Sequence, residues 1–126
     1  MKFKTSDGPF AICKLERDAV VPAWASGGTL SSITRTPDEL SIICEEAAVP
    51  RDAKAERGFR CVQLVGPFDF QALGVLESFL RPLAEAAVPI FAISTYDTDW
   101  ILIQERHWDR ALLVLAKAGH ERVSSR

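Results

Sequence analysis

Residues 90–104 read IFAISTYDTDWILIQ, and the fold is decided there. An apolar run, Ile90–Ile93, enters the hexapeptide Ser94-Thr-Tyr-Asp-Thr-Asp99, and a second, Trp100–Ile103, leaves it. Two strand-like runs joined by a short polar connection predict a β-hairpin. A turn is satisfied by one Asp and a Gly. This connection carries hydroxyls at Ser94, Thr95, Tyr96 and Thr98 and carboxylates at Asp97 and Asp99. That is more hydrogen-bonding capacity than a turn needs, and it is expected to face a small polar ligand. A plainer account stands beside it: solvated turn formers at Asp97 and Asp99, with Tyr96 packing across the strands.

Working outward, Arg106–Ala118 predicts a helix with Trp108, Ala111, Leu112 and Leu115 on its buried side. Gly119 is placed to cap it, and His120–Val123 adds a short last strand. On the other side, Phe70, Leu73, Leu76, Leu80, Leu83 and Ala87 step by three or four from an N-cap at Asp69. Pro82 falls inside that stripe and is expected to kink or divide the helix. Phe59–Val65 precedes it as a strand ended by Gly66-Pro67. From Phe59 the order is therefore strand, helix, strand, strand, helix, strand, the ferredoxin-like βαββαβ arrangement. Right-handed crossovers put both helices on one face of a four-stranded antiparallel sheet.

Nearer the N-terminus, residues 1–9 read as polar and peripheral. Phe10–Leu15 predicts a strand, and Asp18–Ala25 a turn or two of helix. Thr29–Thr36 and Leu40–Cys44 predict a hairpin across Pro37-Asp38-Glu39. The charged, Ala-rich stretch Glu45–Gly58 reads as a loop. The expected fold class is α+β: two tandem units, the first truncated over residues 1–58 and the second complete over 59–126.

The chain has 126 residues and a net charge of −2. Nothing basic enough for nucleic acid or an anionic membrane is declared. No apolar run approaches a membrane span, and the first residues lack the apolar core of a secretory signal. A cytoplasmic location is expected. Cys13, Cys44 and Cys61 lie in apolar runs at spacings that match no zinc motif, so they read as small buried hydrophobes. His107 and His120 are solitary, without a second ligand at metal spacing. The three tryptophans, Trp24, Trp100 and Trp108, read as core or interface. No nucleophile elbow or phosphate-binding loop occurs. No catalytic residue, metal site or cofactor is expected.

The stretch Val88–Ile103, VPIFAISTYDTDWILI, resembles the signature of a branch of ACT domains. That branch holds the tandem-ACT arginine sensors of animal cells and small bacterial ACT proteins. Ser31–Ile43 is similar to the preceding unit of the bacterial proteins, and Gly66-Pro67-Phe68 resembles the glycine turn between an ACT unit's first strand and first helix. The resemblance implies a non-catalytic module that binds an amino acid or similar small zwitterion where two units meet. It implies pairing into a homo-oligomer, a dimer first of all. The positions it implicates are Gly66, Pro67, Phe68, Pro89, Ile90, Tyr96, Asp97, Thr98 and Asp99. Here the first unit is shortened, with the loop Glu45–Gly58 in place of its second helix.

Chemically, a free amino acid needs an acceptor for its ammonium and donors for its carboxylate. Asp97 or Asp99 serves the first through a charge-assisted hydrogen bond. Helix N-terminal N–H groups after Gly66-Pro67-Phe68 serve the second, with Gly66 admitting close backbone approach. Asp69 competes for those donors, which leaves the Ile90 N–H or a neighbouring unit. The alternative function is a protein-interaction module that docks a partner through Tyr96 and binds no small ligand.

Overall fold

The computed structural model describes residues 1–66 and 74–124. Its strands are β1 (Lys2–Leu15), β2 (Ser32–Arg35), β3 (Leu40–Glu45), β4 (Ala55–Leu64), β5 (Phe91–Ser94), β6 (Asp99–Gln104) and β7 (Glu121–Arg122). The helices are α1 (Val75–Glu85) and α2 (Trp108–Lys117), with 3-10 turns at Ala23–Ala25, Glu46–Ala48 and Glu105–His107. The fold is α+β, with antiparallel ladders joining β1 to β3, β2 to β3 and β5 to β6.

The chain divides into two compact units, one formed by Met1–Asp7 with the chain from Arg60 onward, the other by Gly8–Phe59. The first seven residues thus belong with the C-terminal part. They are strand, the opening of β1, where the polar composition had predicted a peripheral segment. Phe3 among them is 2% exposed, and Met1 packs against the same core.

In the discontinuous unit the strands run in the order β7, β1, β4, β6, β5. The expected sheet had four strands. Here the start of β1 lies between β7 and β4, and β7 pairs with it in parallel, Lys2 opposite Glu121 and Phe3 opposite Arg122. One sheet face is apolar in strict alternation: Val62 and Leu64 of β4 and Ile101 and Ile103 of β6. These pack with Phe79 and Leu83 of α1 and Trp108, Ala111 and Leu115 of α2 in one buried cluster. The three- and four-residue spacing of the α2 residues is what places them on one helix face. Arg60 covers the edge of this core, its guanidinium 4.4 Å from the Trp108 ring centroid and Nη1 3.6 Å from Glu105 Oε1. A cation over indole gains from the ring's negative face while its stem shields apolar surface.

Gly119, at φ +92°, ends α2 as expected: its N–H reaches the Ala116 carbonyl and the His120 N–H reaches that of Leu115, both at 3.0 Å. α1 passes through Pro82 unbroken. The residues expected to begin that helix, Asp69, Phe70 and Leu73, lie outside the described residues.

In the unit Gly8–Phe59 the order is β2, β3, β1, β4. Ala11 and Cys13 of β1 and Leu40, Ile42 and Cys44 of β3 form one apolar face with Ala25 of the first 3-10 turn and Val49, which follows the second. The β2–β3 connection is closed by Thr36, whose N–H donates to the Glu39 carbonyl at 2.9 Å and whose Oγ1 accepts from the Asp38 and Glu39 N–H groups. The stretch read as a loop, Glu45–Gly58, contains the 3-10 turn Glu46–Ala48 and the first residues of β4. Burial pushes the Cys13 thiol up to about 11 and Cys61 to about 12, and raises Cys44 as well. All three stay protonated at neutral pH and pack as small apolar groups.

Candidate functional site

The hairpin forms as its sequence predicts. Phe91 pairs with Leu102 and Ser94 with Asp99, leaving Thr95, Tyr96, Asp97 and Thr98 as the tip. The tip closes on itself: the Thr95 N–H donates to the Thr98 carbonyl at 2.8 Å, and Thr95 Oγ1 donates to the same oxygen at 3.0 Å. Ser94 Oγ donates to Asp99 Oδ1 at the base of the tip.

One side chain of the tip turns inward. Thr98 is 8% exposed, and its Oγ1 donates to the Leu64 carbonyl at 2.8 Å. Leu64 is the last residue of β4, and Gly66 follows two residues later. The bond therefore fixes the tip beside the end of β4. Strand alternation gives the reason: Thr98 is one residue before β6 and Asp99, its neighbour, is half-buried on the other side. A hydroxyl in this position satisfies a buried carbonyl that would otherwise cost stabilisation.

The remaining residues divide into groups. Tyr96, 80% exposed, and Asp97 are at the outer end of the tip. Gly66 is exposed beside the Thr98–Leu64 bond. Pro67 and Phe68 lie outside the described residues. Pro89 is exposed, and Ile90 is half-buried against the core of its unit. Both precede Phe91 and so stand at the far end of β5 from the tip, roughly 13 Å along a four-residue strand. Gly66, Thr98, Asp97 and Asp99 are thus brought into one neighbourhood by the backbone; Pro89 and Ile90 are not.

Two concavities of this unit, about 550 and 450 Å³, lie on the helices. The first is lined by Ser78, Arg81, Pro82, Glu85 and Ala86 of the α1 segment with Val114, Lys117 and Ala118 of α2, and the second by Leu76, Glu77, Leu80, Arg81 and Ala84. None of the seven described candidate residues lines either. Sequence reasoning missed Ser94 as the partner of Asp99; the signal was the spacing of a directly opposed pair flanking a four-residue tip. Among the described residues no cluster of three His, Cys, Asp or Glu side chains has metal-binding geometry. No described helix is long and apolar enough to cross a membrane.

The ACT domain family model matches residues 54–117, which includes the hairpin and the end of β4. A second model, for an N-terminal domain, matches residues 8–52. A comparison with curated proteins finds no match. Among solved structures, a protein from Agobacterium tumefaciens superposes with a TM-score of 0.92 at 37% identity, over 99% of this chain and 93% of that one. A Vibrio cholerae protein of unknown function, described as a possible transport protein, gives 0.75 at 19% identity, over 93% and 88% of the two chains. The ligand-free regulatory subunit of aspartate kinase from Thermus thermophilus gives 0.57 at 11% identity, over 89% and 93%. At such identities the last two are likenesses of fold.

Proposed function

Because the chain belongs to the ACT domain family, we propose that it is a non-catalytic regulatory protein of the cytoplasm that binds an amino acid or a related small zwitterion. The observation that carries this reading is the Thr98–Leu64 hydrogen bond. It spends the one inward hydroxyl of the tip on the fold and leaves Asp97, the preceding residue, exposed. Asp97 is the acceptor for the ligand's ammonium, and the Gly66 backbone N–H receives its carboxylate. On this reading the unit Gly8–Phe59 is the shortened first member of a tandem pair.

Pro89 and Ile90 enter the same site through a second copy. β5 is the outer strand of its sheet, and Phe91-Ala-Ile-Ser94 carries no charge, proline or bulge to protect that edge. Two copies joined antiparallel along β5 by a two-fold axis set the start of one strand against the tip of the other. Pro89 and Ile90 of one copy then face Asp97 of its partner. Phe91→Glu places like charges near that axis, and sedimentation is expected to show a dimer for the parent protein and a monomer for the variant. A parent chain that stays monomeric at micromolar concentration removes this part of the proposal.

The ligand is tested by thermal shift with each of the twenty amino acids at millimolar concentration. A ligand present at a hundred times its Kd stabilises by about 2.7 kcal/mol. At least one amino acid is expected to raise the midpoint, and Asp97→Asn to abolish the rise while leaving the ligand-free midpoint in place, as an exposed substitution does. No rise from any of the twenty overturns the reading. The exposure of Tyr96 favours a second one, a docking module without a small ligand. Capture of a partner protein that is lost in Tyr96→Ala and unaffected by amino acids would support it.

A further inference from the structure

α1 keeps its course through Pro82, and the reason lies outside the helix. Proline has no N–H to offer the carbonyl four residues earlier, here that of Ser78. His120 supplies the missing donor: its Nε2 lies 3.1 Å from the Ser78 oxygen. Since a carbonyl only accepts, Nε2 carries the proton and Nδ1 is bare. Nδ1 lies 3.0 Å from the Met1 nitrogen, which donates to it. The imidazole is seated against Phe79, with centroids 4.9 Å apart. Both hydrogen bonds are satisfied together only by the neutral ring in this one tautomer.

The ring stands where β1, β7 and α1 meet. Beside it the Glu121 N–H donates to the Met1 carbonyl and the Val123 N–H to that of Phe3, each at 2.8 Å. We propose that His120 is a proton-operated latch: neutral, it replaces the donor that Pro82 withholds and ties α1 to the β1–β7 ladder; protonated, it sets a second donor against the Met1 nitrogen and releases that ladder. The groups that face it are the Met1 amino group from β1 and, from α1, the Ser78 carbonyl and the Phe79 ring. Nearby, Lys117 at the end of α2 and Glu121 of β7 are exposed, and Arg122 donates to Thr5 Oγ1 at 2.7 Å. Among the described residues no carboxylate acts on the ring.

The direction of the pH effect follows. Burial holds the His120 pKa below its ordinary 6.5; the Ser78 bond opposes this and the Met1 charge adds to it. A histidine with a depressed folded pKa stabilises fully above the unfolded value. That contribution is lost as pH falls from 6.5 through the folded value.

Three measurements test the latch. The midpoint difference between the parent protein and His120→Phe, which keeps a ring against Phe79, is expected to be constant above pH 7 and to shrink by about 5 °C on acidification. In a Pro82→Ala background the Ser78 carbonyl regains a helical donor, so His120→Phe is expected to cost less than half as much there. In the parent protein, exchange of the Glu121 and Val123 amides is expected to speed up along the imidazole titration followed by NMR, a readout that needs no variant. A pH-independent difference, an additive double-mutant cycle, or a titration that leaves those two amides unchanged would each overturn it.

Discussion

Phe79→Ala is expected to destabilise the protein by about 3–5 kcal/mol, the range for removing a fully buried phenylalanine. Phe79 is 0% exposed. Its ring meets Phe3 edge-on, with centroids 5.6 Å apart at 70°, and meets His120 at 4.9 Å. It therefore joins α1 both to the first strand of its unit and to the residue that precedes β7. Loss of the ring takes away its transfer energy and leaves a void that rigid neighbours, Leu83, Ile101 and Leu115 among them, fill only in part. Small domains hold about 5–15 kcal/mol in total, so this one substitution consumes a large share. Urea unfolding followed by tryptophan fluorescence is the measurement. The midpoint is expected to fall with little change in slope, and Phe79→Leu, which keeps most of the volume, to cost less than about 1.5 kcal/mol. Equal costs for the two variants would show that ring packing is not what holds α1 in place.

Thr98→Val is the second large effect, about 1–3 kcal/mol, although it alters neither shape nor volume. The hydroxyl donates to the Leu64 carbonyl in a buried setting, and valine leaves that oxygen without this donor. Thr98→Ser keeps the donor and is expected to recover most of the stability. Amide exchange at Thr95, whose N–H is bonded to the Thr98 carbonyl, reports on the tip: protection is expected to drop in Thr98→Val and persist in Thr98→Ser. The pair also separates folding from binding. A Thr98→Ser protein with normal exchange that has lost ligand binding would show that the threonine methyl, not the hydroxyl, shapes the site.

The residues that decided the hairpin and both helices were legible because their pattern is local. Trp100–Ile103 is an apolar run bounded by polar residues, and Trp108, Ala111 and Leu115 repeat at helical spacing; each implies its element without reference to any other part of the chain. The start of β1 was not legible, since Lys2-Phe-Lys-Thr-Ser-Asp7 shows one large apolar residue and its strand character comes from partners at the opposite end of the chain. Pro82 misled for a related reason. Its local cost is real, and the compensation comes from His120, thirty-eight positions away in a different element. Within the candidate site, the hydroxyl-rich tip was visible, but sequence spacing does not tell an inward threonine from an outward one. Thr98 serves the fold, whereas Tyr96 and Asp97 are exposed.

Lys2 pairs with Glu121, whereas Gly8 lies so close to Phe59 that an added Cβ would sit 3.2 Å from the Phe59 carbonyl oxygen. During synthesis from the N-terminus, the opening strand waits for almost the whole chain before its last neighbour emerges. The stretch Gly8–Phe59 has all of its own strands far sooner, and its closure leaves Asp7 and Arg60 as adjacent starting points. A long ring closure is thereby replaced by a short one, with a smaller entropic cost. Early closure of the inserted stretch is therefore expected to speed formation of the β1–β7 ladder.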